Sequence, residues 1–98
     1  MNMNAEITKE RLDKYFSLTE RALKKVKIAK EKKIEWNEAA KDFLQMAKHY
    51  FEDAKHFREK GDIVTAFAAV SYAHAWLDAG ARLGLFDVGH DSELFTVD

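Results

Sequence analysis

The densest hydrophobic pattern in the chain lies between Gly61 and Gly84, GDIVTAFAAVSYAHAWLDAGARLG, where apolar residues recur at three- and four-residue steps. On a helical wheel Ile63, Ala66, Phe67, Val70, His74 and Leu77 share one side. Ala69, Tyr72, Ala73, Trp76, Gly80 and Leu83 share the adjoining side. Together they span roughly 220° of arc, enough to meet two neighbouring helices. A seam of small residues, Ala66, Ala69, Ala73 and Gly80, runs between the two sides and predicts close approach of a neighbouring backbone. Asp62 stands where an N-cap belongs, and Gly84 followed by Leu85 where a left-handed helix stop belongs.

Two further amphipathic stretches precede this one. Leu12, Tyr15, Phe16, Thr19, Ala22, Leu23 and Val26 form a single apolar stripe, with Asn4 available as a cap. Ala40, Phe43, Ala47, Tyr50, Ala54 and Phe57 repeat with a seven-residue period behind Trp36, and Leu44 and Phe51 widen that stripe on one flank. Asn37 and Glu38 suit the start of this second helix and Gly61 its end, while the turn before it falls somewhere in residues 30–37. The spacing of Tyr50, Ala54, Phe57, Gly61, Ala66 and Ala73 is that of a tight antiparallel helical hairpin. The pattern therefore predicts an all-α fold: a three-helix bundle with helices at about 5–29, 36–60 and 62–83, in a single domain over residues 1–98. Residues 1–4 are expected to fray. Residues 85–98 form an irregular tail whose Leu85, Phe86, Val88, Leu94, Phe95 and Val97 predict that it packs back on the bundle.

Composition narrows the class. With no proline, and with all four glycines after Lys60, nothing interrupts the first two helices. No cysteine means no disulfide frame and no thiolate site. No signal-peptide pattern and no apolar run of membrane-spanning length is present, so the expected location is cytoplasmic and no membrane is involved. A net charge of −1 gives no general attraction to nucleic acid. The charge is unevenly placed, however. Seven basic residues and only one acid, Glu31, lie between Arg21 and Lys33. This stretch is the candidate nucleic-acid contact, but no aromatic residue is interleaved for stacking and only one of the seven is arginine, so nucleic acid is not the expected partner.

Three constellations carry candidate chemistry. His49, Asp53 and His56, beside Glu52, point the same way from the second helix and are the candidate metal ligands. They lie away from the apolar stripe, in the solvated arc where charged side chains ordinarily sit, so no metal and no cofactor is expected. Ser71, His74 and Asp78 imitate a nucleophile triad, but a serine inside a regular helix has neither a strained elbow nor an oxyanion hole; no catalytic residue is assigned. A dry pocket among Tyr72, His74 and Trp76 would suit a small ligand. Last, Val64, Ala68, Ala75 and Ala79 make a strip of small residues on the outer side of the third helix, either solvent-facing alanine or a docking strip for a protein partner or a second copy.

Three stretches carry a family resemblance: YFSLTERALKKVKI (residues 15–28), AKDFLQMAKHYFEDAKHFREKGDIVTAFAAVSYAHAWLDAGARLGLFDV (40–88) and ELFTVD (93–98). Their most specific part is YAHAWLDAGARLGLF, Tyr72 to Phe86. The chain resembles the archaeal family called domain of unknown function 357. The resemblance implies a three-helix bundle and an archaeal cytoplasmic origin, and it brings no catalytic or binding residues. The expected function is that of a small non-enzymatic interaction or scaffold protein that associates with a partner or with itself. A nucleic-acid-associated protein using the basic stretch and a metal- or ligand-binding bundle are the alternatives.

Overall fold

A computed structural model describes residues 6–96 of the chain. Asn4, the rest of residues 1–4, Val97 and Asp98 lie outside the described residues. Three helices follow one another: α1, Lys9–Lys25, α2, Trp36–Glu59, and α3, Ile63–Arg82, with no strand among the described residues. The fold is all-α, as the periodicity predicts. Helices α2 and α3 sit where expected.

Helix α1 is shorter than the expected 5–29, since residues 6–8 and 26–29 are not helical. It starts after Thr8, whose hydroxyl accepts from the Arg11 N–H at 3.1 Å. It stops at Val26, which is extended although its N–H still donates to the Ala22 carbonyl at 2.9 Å. Continuing the helix would set Lys24, Lys27 and Lys30 three residues apart on one face, where like charges repel. Residues 26–35 are irregular. Helix α2 is capped by Glu35, whose carboxylate accepts from the N–H groups of Asn37 at 3.2 Å and Glu38 at 2.7 Å. Glutamate is not a favoured cap, but its negative charge suits the positive end of the helix.

The α2–α3 hairpin is closed by local hydrogen bonds. Gly61 takes a positive φ of 80°, its N–H donates to the Arg58 carbonyl at 3.1 Å, and the Asp62 N–H reaches back to the Phe57 carbonyl at 3.0 Å. Asp62 then caps α3 by accepting from the Thr65 N–H at 3.1 Å. Helix α3 ends the same way: Gly84 has φ 77° and the Leu85 N–H donates to the Gly80 carbonyl at 2.8 Å. Both stops satisfy carbonyls that a helix end leaves unpaired.

Between α2 and α3 the buried residues are small. Ala47 and Ala54 on α2 and Ala66, Ala73, Gly80 and Ala81 on α3 are buried, and among the described residues no large side chain is fully enclosed. The alanine row lets the two axes approach closely and sends the bulky residues to two flanks. The tail returns to α3. The Phe86 ring lies directly over Gly80, where any Cβ would fall inside the ring's van der Waals envelope. The small seam thus admits a ring from the tail at Gly80, while at Ala66 and Ala73 it admits α2.

Helix α1 packs against neither α2 nor α3. Its stripe is uncovered: Phe16 is 69% and Leu23 70% exposed, and no residue of α1 is buried. The radius of gyration is accordingly 16.2 Å, against about 12.5 Å for a compact chain of this length.

Candidate interaction surface

The two flanks of the hairpin differ. On one, Phe43 meets Trp76 edge to face at 4.9 Å between centroids, Tyr50 meets Tyr72 at 4.5 Å, and Tyr72 meets Trp76 at 6.1 Å. These rings reach across the interhelical seam and cover one another. The indole Nε1 of Trp76 is buried there and has no hydrogen-bond partner among the described residues.

On the other flank, Leu44 and Phe51 of α2 face Ile63, Phe67, Val70 and Leu77 of α3 across two hollows of about 220 and 370 Å³. Phe51 and Val70 line both hollows, so they form one groove along the pair. Its walls are almost wholly apolar and open: Phe67 is 71% exposed. The α2 edge of the groove is basic, with Lys48, Lys55 and Arg58 lining it. Lys55 also pairs with Glu52 at 2.8 Å and sits 5.2 Å above the Phe51 ring. Contiguous exposed hydrophobic side chains rimmed by charge are the mark of a surface that is covered in use.

The sequence signal for this groove was partial. Leu44 and Phe51 stand out as a flank of the α2 stripe, and Ile63, Phe67 and Val70 as one side of α3. Nothing in the pattern distinguishes a side that a neighbour covers from one that stays open. The basic edge was legible in principle, since Lys48 and Lys55 are seven residues apart on the same flank as Leu44 and Phe51.

A third surface lies between α3 and the tail. Phe95 stacks on His74 at 6.4 Å. The carboxylate of Asp78 accepts from the Thr96 N–H at 2.9 Å and from its hydroxyl at 3.0 Å. The bond from the Thr96 N–H, chiefly, holds the Asp78 carboxyl below its ordinary value against the opposing effect of its own burial, with smaller help from the Thr96 hydroxyl and His74. His74 Nε2 stands 3.6 Å from Asp78. The hollow beside them, about 630 Å³, is lined by groups of both charge signs, Arg82 and Glu93 among them. Asp78 is thus an anchor for the tail, and Ser71 is exposed on the helix next to it. The arrangement offers a tether.

The other residues singled out in the sequence are placed as follows. His49 Nε2 lies 3.5 Å from Asp53 Oδ2, and His56 turns to the Phe57 ring at 5.8 Å. Among the described residues no group of three or more His, Cys, Asp or Glu is arranged to hold a metal. Tyr72 and Trp76 lie on the aromatic flank and His74 beside the groove and tail, so these three do not share a pocket. Ala68, Ala75 and Ala79 are exposed and Val64 half-buried on the outer side of α3. Arg21, Lys24, Lys25, Lys27, Lys30, Lys32 and Lys33 are all exposed, and Lys24 pairs with Glu20 at 3.0 Å. Only the first three belong to a helix, so the run presents no single ordered face. Among the described residues no helix is long and apolar enough to cross a membrane.

No curated protein and no solved structure matches the chain. The family model described as "Protein of unknown function (DUF357)" matches residues 14–86.

Proposed function

We propose, for a chain that belongs to the DUF357 family, the role of a small non-enzymatic helical interaction protein that associates with copies of itself. The observation that carries this reading is the open apolar groove of Leu44, Phe51, Ile63, Phe67 and Val70. Leaving such a row in water costs about 25 cal/mol per Å² of apolar surface, a cost that association removes. The strip of Val64, Ala68, Ala75 and Ala79 supports the same role more weakly, because alanines offer little area to bury. The archaeal, cytoplasmic setting implied by the family resemblance belongs to this proposal; a chain without cysteine is compatible with it.

Light scattering across a concentration series tests the reading. A particle heavier than the 11.3 kDa chain is expected. A clean monomer at the highest concentration overturns self-association.

A further inference from the structure

We propose that the groove of one chain is filled by helix α1 of a second copy, the exchange being reciprocal. This rests on the self-association reading above and names the surfaces that carry it.

The first ground is complementarity of charge and register. Around α1, Leu12, Phe16, Thr19 and Leu23 form the centre of the stripe, and Asp13 and Glu20 border one edge, between Lys9 and Lys24 at its two ends. The two acids are seven residues apart, as are Lys48 and Lys55 on the groove's α2 edge. With α1 antiparallel to α2, Asp13 stands opposite Lys55 and Glu20 opposite Lys48. In that register Phe16 falls between Phe51 and Val70, and Leu23 falls between Leu44 and Leu77.

The second ground is direction. Helix handedness turns the Asp13–Glu20 edge toward α2 only in the antiparallel orientation, and it turns Arg11 and Lys25 toward α3, whose outer rim carries Asp78. Reversed end for end, both acids would turn toward α3 and away from the lysines. The charges therefore favour one sense of insertion. The present partners of these charges, Glu20 with Lys24 at 3.0 Å and Lys55 with Glu52 at 2.8 Å, are exposed pairs within one helix and hold them weakly.

The third ground is the segment that joins α1 to α2. It carries Lys27, Lys30, Lys32 and Lys33 against two acids, Glu31 and Glu35, directly after Lys24 and Lys25. A linker of like charges repels itself and extends. Its flanking residues Val26 and Glu35 are both extended, and α1 lies away from its own hairpin. A helix held at the end of such an arm is presented to another molecule.

The area suffices. A helix about 25 Å long and 10 Å across laid in a groove removes on the order of 600 Å² from each surface, and two reciprocal insertions exceed the roughly 1,600 Å² of an ordinary stable complex.

The test uses the full chain and two charge-reversal variants, Asp13→Lys/Glu20→Lys and Lys48→Glu/Lys55→Glu. Wild type is expected at twice 11.3 kDa. Each variant alone is expected as a monomer, and their equimolar mixture as a dimer, because mixing makes both grooves attractive again. Since the chain has no cysteine, Asp13→Cys chains mixed with Lys55→Cys chains and oxidised should give a covalent heterodimer whether or not the charge variants fold. A dimeric wild type with neither restoration on mixing nor cross-linking overturns this inference and leaves self-association through another face. A monomeric wild type overturns both. A disulfide closing within one chain of Asp13→Cys/Lys55→Cys assigns the groove to the chain's own α1, and the exchange is wrong.

Discussion

The two flanks of the α2–α3 pair are made by the same two helices, yet on one the rings meet edge to face across the seam and on the other a groove stands open. The difference lies in where the rings stand. The alanine row of Ala47, Ala54, Ala66 and Ala73 sets the axes close and pushes every larger residue off the seam. On one flank the displaced residues are rings, long enough to meet above the seam, as Phe43 and Trp76 do at 4.9 Å. On the other, Leu44, Ile63 and Val70 stand with two rings, Phe51 and Phe67, around an open groove. A hairpin zipped by small residues thus takes its sidedness from where its rings stand as well as from hydrophobicity.

Truncating one side chain on each flank should break this comparison most visibly. Trp76→Ala removes a ring with two aromatic neighbours and should cost about 3 kcal/mol, read as a fall in the denaturation midpoint; Phe67→Ala in the groove should leave the unfolding of the dissociated chain nearly unchanged. Equal losses would mean that the flanks are not different in kind. Widening the seam comes next. Ala73→Leu should destabilise by about 2 kcal/mol through overpacking and should pull the edge-to-face rings apart, which near-ultraviolet circular dichroism would show. Gly80→Ala should cost about 1 kcal/mol, because loss of the Phe86 contact outweighs the better helix propensity of alanine. A stabilised variant would show that the ring is easily displaced. The smallest effect concerns Asp78. Its carboxyl is lowered in the folded chain, so its contribution is complete above the unfolded value of about 3.9 and is lost as pH falls through the lower folded value. Protection of the Thr96 amide, relative to the exchange of a free amide at the same pH, should fall on acidification below that point, and Asp78→Asn should abolish this pH dependence of the protection.

Much of the hairpin was legible because its signals are local. Gly61, Asp62 and Gly84 mark its turn and its end through backbone requirements that few other residues meet. The heptad of Ala40, Ala47 and Ala54 against Ala66 and Ala73 marks its seam. The apolar tail residues foretold a return to α3, though not the meeting of Phe86 with Gly80, which depends on how the chain turns after Leu85. The Glu35 cap is not legible in the sequence, because glutamate caps through charge rather than through the short side chain that cap statistics favour. Placement of α1 was not legible either. Its stripe records that the helix needs a cover and carries no information on which molecule supplies it. The His49, Asp53 and His56 arc shows the same limit: a shared direction on a helix says nothing of whether a second element closes over it.

The turn at Gly61 and Asp62 has a kinetic consequence. Its hydrogen bonds span at most five residues, and the contacts that follow it outward along α2 and α3 lengthen in sequence only gradually. Chains dominated by such short-range contacts form fastest. The pair should therefore nucleate at this corner and run to completion while α1 is still searching. The order of events on folding is then intramolecular first and bimolecular second, and only the later step should slow on dilution.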